Sequence, residues 1–516
     1  MPTYKTPDVY IEEISVFPPS VAEVETAIPA FIGYTEKAIK NIANDLILKP
    51  TKIYSLKEYE EYYGYPEDDQ IQLTVVSDSI SGLKVSSFTE PTVNYLMYYS
   101  IKMFFDNGGG QCYIIAVGIY QNTPVIDLRG DSSTNSATMY GLQDGLEVLA
   151  LEDEPTLIVI PESVKLSRAE YTTLVQAVLL QCNTLRDRFA IFDIFDGKGD
   201  TTSATPKHLS NAQLNTNREY FGNNYLKYGA AYYPFLKTTM NFYVNEGETN
   251  VMVISPPLGS GAAATATLTS GVVTNITISD GGSGYTSAPT VTIANAPAGG
   301  TRATATATIA SGIVTGIDIT NGGAGYTSAP TVTIANAPAG GTQATATATI
   351  ASGVVTGINI TNGGTGYTSA PAISLTPATP TAANLASFKI SDTALYNFVK
   401  STLKDHFVVL PPSGAVVGVY AATDSNRGVW KAPANVSLAN VIEPVIKLDN
   451  TKQDDLNVDA TTGKSINAIR GFMGKGTLVW GARTLAGNDN EWRYIPVRRF
   501  FSVVEESVKK STYWAV

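Results

Sequence analysis

The chain has 516 residues, 44% of them hydrophobic and only 16% charged, and its 46 acidic and 35 basic side chains leave a net charge of −11. That length suggests about three domains and more than one hydrophobic core. The acidic balance argues against a whole-chain nucleic-acid binder, which needs a basic stripe to displace counterions.

Residues Tyr4 to Ile14 alternate like a strand, and Pro18-Pro19 breaks the pattern before Ala30-Phe-Ile-Gly-Tyr34. A terminal strand isolated in this way has little local sequence to pair with. Addition to another subunit's sheet edge and pairing with a distant strand of its own chain both remain open. No apolar run of about 7–15 residues marks a secretory signal, and none of about 18 marks a membrane span. The expectation is a protein made in the cytoplasm without a signal peptide and without direct membrane insertion.

Farther on, Tyr95 to Asp106 reads as a helix that ends at Asn107-Gly-Gly-Gly110, and the strand Gln111 to Val117 follows. Thr156 to Ile160 is a buried-strand run. Ser167-Arg-Ala-Glu170 is a capping box, in which Ser and Glu satisfy each other's free amides. Tyr171, Leu174, Val175, Val178, Cys182 and Leu185 then recur at helical spacing, and Phe189 to Ile194 is a second strand. A β-α-β unit of this kind makes the two strands parallel.

A period of 41 dominates residues 256–380. Tyr285, Tyr326 and Tyr367 each sit in Gly-Tyr-Thr-Ser-Ala-Pro after a Gly-rich turn, with Ala-Thr alternation and a β-type stretch before it. Small and β-branched residues broken by Gly and Pro specify short strands, and a fixed period means one supersecondary unit used three times. Between Leu258 and Pro380 only three charges occur, Asp280, Arg302 and Asp318, which explains the low overall charge. The segment reads as an inserted all-β module. Each tyrosine is either a stacking platform for a sugar or partner, or a cover for its own repeat's sheet.

After the insert, Ser391 to Leu403 is a plausible helix. The last clear helix runs from Val497 to Ser511, with an apolar stripe of Val497, Phe500, Phe501, Val504 and Val508. Glu505 precedes Lys509 and Glu506 precedes Lys510 by four residues, the favourable order for helix ion pairs. Arg498 and Arg499 lie near the helix start, where the macrodipole disfavours cations. This points either to a partner for positive charge or to simple solvation.

No catalytic constellation emerges. Gly463-Lys464-Ser465 resembles the end of a phosphate-binding loop, but Val458 stands where the motif needs its first glycine. Asp193 and Asp196 are carboxylates at a strand end, a common feature that points only weakly to catalysis. Cys112 and Cys182 are too few for a disulfide framework and read as core thiols. His208 and His406 lack neighbours at metal-ligand spacing. The expectation is a protein that is not an enzyme and has no catalytic, cofactor or metal residues.

Several blocks resemble contractile tail sheath proteins. They are Lys5-Thr-Pro-Asp-Val-Tyr-Ile-Glu-Glu-Ile-Ser15, Phe17-Pro-Pro-Ser-Val21, Thr26 to Thr35, Phe104-Phe-Asp-Asn-Gly-Gly109 with Cys112-Tyr113, and Pro411-Pro-Ser-Gly-Ala415. Asn426 to Asn435, Ile466-Asn-Ala-Ile-Arg470, Gly476 to Thr484, Glu491-Trp-Arg-Tyr494, Val497-Arg-Arg499 and Glu505-Glu-Ser507 complete the series. They span both ends of the chain and skip only the repeats. The wording looks closest to sheaths of phage-tail-like extracellular contractile injection systems, with myophage tail sheaths as near relatives. In two places the chain departs from the family pattern. Asp8 replaces the family's usual Gly, and family sheaths continue past the Tyr513-Trp514 region.

The resemblance implies an α/β (α+β) sheath core with an extended N-terminal arm and the inserted all-β repeat domain. The expected divisions are 1–35 for the arm and entry to the core, 36–255 for an α/β sheath domain, 256–380 for the exterior repeats, and 381–516 for an inner, tube-facing domain. It implies a structural subunit that stacks as hexameric rings around an inner tube and contracts to drive the tube through a target envelope. Implied partners are copies of itself, the inner tube protein, and baseplate and cap proteins, with no nucleic acid and no cofactor. On this reading Tyr4, Val9, Tyr10, Ile11 and Ile14 belong to an inter-subunit arm. Arg498, Arg499, Lys509 and Lys510 are candidates for tube contact, and Tyr285, Tyr326 and Tyr367 for an exterior surface. The alternative of another class is a surface adhesin or carbohydrate-binding protein that uses the repeats.

Overall fold

A computed structural model of the chain describes residues 25–68, 71–78, 82–121, 123–130, 140–201, 206–244 and 384–512, together with residue 246 and the strands between 251 and 374. Two compact units form. One comprises Met1–Glu67, Val93–Tyr243 and Phe407–Val516; the other comprises Asp68–Thr92 and Val244–His406.

The first unit is mixed α/β. Its strands are β1 (Pro29–Thr35), β2 (Thr51–Ile53), β3 (Cys112–Ile119), β4 (Leu157–Val159), β5 (Phe189–Asp193), β6 (Gly229–Tyr233), β7 (Leu236–Asn241), β8 (Phe407–Leu410), β9 (Val436–Ser437), β10 (Val441–Pro444), β11 (Asn467–Phe472) and β12 (Gly476–Val479). Nine of them make one sheet in the order β2-β3-β1-β4-β5-β6-β11-β12-β9, and β8-β7-β10 make a second. From β3 to β11 the neighbours run parallel, while β2 and β12 flank them antiparallel.

Parallel strands need both faces covered, and their sequences are accordingly continuous apolar runs. Successive residues enter two separate cores. Ala30, Ile32, Tyr34, Ile158 and Ala190 face one, and Phe31, Leu157, Val159 and Ile191 face the other. Helices α3 (Leu142–Leu149), α4 (Arg168–Leu185) and α5 (Asn211–Tyr220) close the first core. Helices α1 (Leu56–Tyr63), α2 (Met97–Asp106) and α6 (Ser413–Arg427) close the second, and α7 (Asn450–Leu456) adds Leu456 to the first. The Ser167/Glu170 capping box forms as its spacing predicts, and β4 and β5 pair in parallel with Ile158 opposite Ala190.

Helices α2 and α6 cross closely because α6 turns glycines toward α2. A Cβ on Gly414 would lie 2.5 Å from the Ser100 carbonyl oxygen, and one on Gly418 would lie 2.6 Å from that of Phe104. Backbone cannot yield as a flexible side chain can. Gly418→Ala is therefore expected to cost about 1–3 kcal/mol, as overpacking of a filled core does. Urea unfolding checks this, and an unchanged midpoint would show that the crossing has slack.

In the second unit, Ile71–Asp78 and Gly82–Thr89 form an antiparallel hairpin, and Val251–Ile254 adds parallel to Ile71–Asp78. The strand Thr304–Ala310 pairs with Ile313–Asn321, and Thr345–Ala351 pairs with Val354–Asn362, in the same register 41 residues apart. The first repeat gives a longer hairpin, Ser260–Thr269 with Val272–Ser283. The helix expected over Ser391 to Leu403 forms as Thr393–Lys404, capped by Asp392, which accepts from the Leu395 amide, and a short helix, Leu385–Ser391, precedes it.

Candidate functional site

The sequence's last helix is α8 (Ile495–Thr512), slightly longer than its period predicts. Its facing inverts the ordinary arrangement. The stripe residues Phe500, Phe501, Val504 and Val508 are 40–50% exposed, whereas Arg498 and Arg499 are only 2% and 4% exposed. Surface helices normally bury the apolar stripe and solvate the charges. A helix that does the opposite presents its sticky face away from its own unit.

Of the two readings of these arginines, a partner for positive charge and simple solvation, the structure gives the first, and the partners belong to the chain itself. Arg499 grips both carboxylate oxygens of Asp424 on α6, donates to the Thr26 carbonyl at 2.9 Å, and lies over the Tyr420 ring at 5.0 Å. Such a bidentate, charge-assisted pair is the geometry a guanidinium is shaped for. Arg498 lies between the rings of Tyr228 and Trp492, at 4.8 and 4.9 Å, and donates to Ser502 at 3.0 Å. The macrodipole's penalty is offset by one buried carboxylate and several ring faces.

Lys509 and Lys510 are exposed, at 74% and 54% of their side chains. Both pair with Glu506 at 3.6 Å, while Glu505 turns to Arg498 at 3.5 Å. The expected Glu505–Lys509 pair is therefore replaced, because the buried guanidinium competes for that carboxylate. Beside α8 runs a groove of ≈ 190 Å³, lined by Glu25, Thr26, Glu154, Arg188, Glu506 and Lys510 among others.

Two fully enclosed carboxyls hold the helices behind α8. Leu96 and Pro412 precede α2 and α6, and neither offers a capping side chain. The missing acceptors arrive from the short helical turn Pro161–Lys165 after β4 and from the end of β5. Glu162 accepts from the Leu96 and Met97 amides at 3.0 and 2.8 Å, and Asp193 accepts from the Ser413 amide at 2.8 Å. Burial pushes each carboxyl up to about 7, although the amides pull the other way. Asp193 is thus a structural cap, and Asp196 is bonded to Asn217 and Arg168. Lys464 is buried and donates to the Arg218 carbonyl at 3.0 Å, so it is not presented to a phosphate.

Tyr4, Val9, Tyr10, Ile11 and Ile14 lie outside the described residues, as do Tyr285, Tyr326 and Tyr367. The sequence reading missed Asp424 and Thr26, which complete the arginine site. Nothing local marks either residue, because both meet Arg499 only through the fold.

No family model matches the chain. A curated relative from Pseudomonas aeruginosa (strain UCBPP-PA14), named "Putative prophage major tail sheath protein", is 28% identical over 109 residues. That match covers 20% of this chain and 27% of the relative, so the chain spans about a quarter of the relative's length. Among solved structures, the chain is similar to one in the contracted anti-feeding prophage (AFP) baseplate, with TM-score 0.47 and 20% identity over 99% of this chain and 78% of that one. It is also similar to one in the contracted sheath complex of PVC, an extracellular contractile injection system, with TM-score 0.43 and 19% identity over 100% and 76%. The sequence blocks that resemble contractile tail sheaths thus belong to a chain that is similar to a tail sheath protein in sequence.

Proposed function

We propose that the chain is a structural sheath subunit of a phage-tail-like contractile injection machine. It polymerises as stacked hexameric rings around an inner tube, and it contracts to drive that tube through a target envelope. The observation that carries this reading is the inverted helix α8. A stripe of Phe500, Phe501, Val504 and Val508 turned outward beside exposed Lys509 and Lys510 is built to be covered by another protein. We assign this face to the inner tube, with the two lysines meeting acidic groups there. Residues 4–14 are the arm exchanged between subunits, and the repeats of 256–380 project outward. The energy of contraction comes from new contacts between subunits, as in other bistable assemblies.

Electron microscopy of source-cell lysate, with immunogold against the 41-residue repeat, tests the assignment. Gold along striated rods in long and shortened forms is expected. Gold on cell surfaces with no rods would replace the sheath by an adhesin. Within such particles, Lys509→Glu with Lys510→Glu is expected to lower the yield of extended rods severalfold and leave subunit melting unchanged, because exposed charges set partner choice more than fold stability. An unchanged rod yield would remove the lysines from the interface.

A further inference from the structure

We propose that Arg499 is a joint that couples the root of the N-terminal segment to helix α8, so that a pull on one is felt by the other. Three acceptors converge on a single guanidinium. Two are the oxygens of Asp424, and the third is the carbonyl of Thr26, one residue into the described chain. The Thr26 carbonyl also accepts from Thr156 Oγ1 at 2.8 Å, and that hydroxyl accepts from the Ile28 amide at 3.0 Å. The root is therefore pinned on one side by the start of β4 and on the other by α8. Tyr420 beneath the guanidinium is itself fixed, through a 2.7 Å hydroxyl contact to Tyr232 on β6.

Every member of this chain of contacts is buried or half-buried. A lysine could not reproduce the joint, since an ammonium lacks the planar fork that spans a carboxylate and a carbonyl together. A consequence for contraction rests on the sheath reading above. There the arm meets neighbouring subunits and α8 meets the tube, and Arg499 is the route by which arm movement loosens or seats the tube-facing helix. The coupling itself belongs to the single chain.

Amide hydrogen exchange on the purified chain tests it. Thr156→Val removes a hydroxyl beside the root and leaves Arg499 and Asp424 in place. Exchange is expected to rise in residues 26–30 and also in the first turns of α8, by about threefold or more in both, the size coupling along a packed network reaches. The reciprocal variant, Asp424→Asn, is expected to raise exchange in residues 26–30, since coupling between two places acts equally in both directions. Should Asp424→Asn fail to fold, Arg499→Lys reads the same two segments. Changes confined to the mutated element in each variant would overturn the joint. Because the measurement needs no assembled particle, its failure leaves the sheath reading standing, and absent rods with coupling intact would remove only the sheath.

Discussion

Wild-type protein is expected to lose stability as pH rises from about 5 to 8, and Glu162→Gln to flatten that loss. Glu162 and Asp193 are enclosed carboxyls whose proton is held up to about 7 by burial. The unfolded chain releases the same protons near 4, so the folded state binds more protons in between. Their stabilisation is therefore full below about pH 4, fades as pH rises, and is gone above about 7. Each contributes on the order of 3–4 kcal/mol across that window, since one unit is ~1.4 kcal/mol.

The groups around Glu162 are Tyr34, Tyr59, Tyr95 and Tyr120, none of which ionises in this range, and Lys165. Burial lowers Lys165 to about 8, so its own opposite contribution appears above the window. A Gln at 162 keeps a carbonyl for the α2 amides and has no proton to lose. Glu162→Ala is different. It strands two buried amides and leaves a void, costing about 2–4 kcal/mol relative to the Gln variant at every pH. Melting curves of the three proteins from pH 5 to 8 decide the matter. A Gln variant with the wild-type slope would show that the pH dependence lies elsewhere.

These caps show what a sequence can and cannot disclose. The Ser167/Glu170 box was legible because donor and acceptor are three residues apart. The cap of α2 comes from 66 residues downstream and that of α6 from 220 residues upstream, so no local pattern contains them. The parallel β4-α4-β5 unit was legible from apolar runs and helical spacing. The extent of α8 was legible too, but its facing was not. Periodicity gives a stripe without saying whether the stripe meets the chain's own core or another molecule, since both surfaces use the same residues. The buried arginines follow from that ambiguity. Arg498 and Arg499 look like free cations in sequence because Asp424, Tyr420, Tyr228 and Trp492 are brought to them only by folding.

The largest single loss is expected from Asp424→Ala, at about 3–5 kcal/mol, because removing one partner leaves a buried charge uncompensated. Arg499 is 4% exposed and its second partner is a carbonyl, which carries no full charge. The guanidinium cannot neutralise by losing a proton. It must drag water into the site or pull α8 away from α6. The double variant Asp424→Leu with Arg499→Met removes both charges and keeps similar volume, and it is expected to be far milder, as replaced buried pairs often are. The Thr26 carbonyl would keep its bond from Thr156 in that variant. Denaturant unfolding of the single and double variants separates the two effects. Equal losses in both would mean that packing around α8, rather than the stranded charge, sets the cost. A mild double variant with its α8 still in place would show that the ion pair is retained for specificity of position, not for net stability.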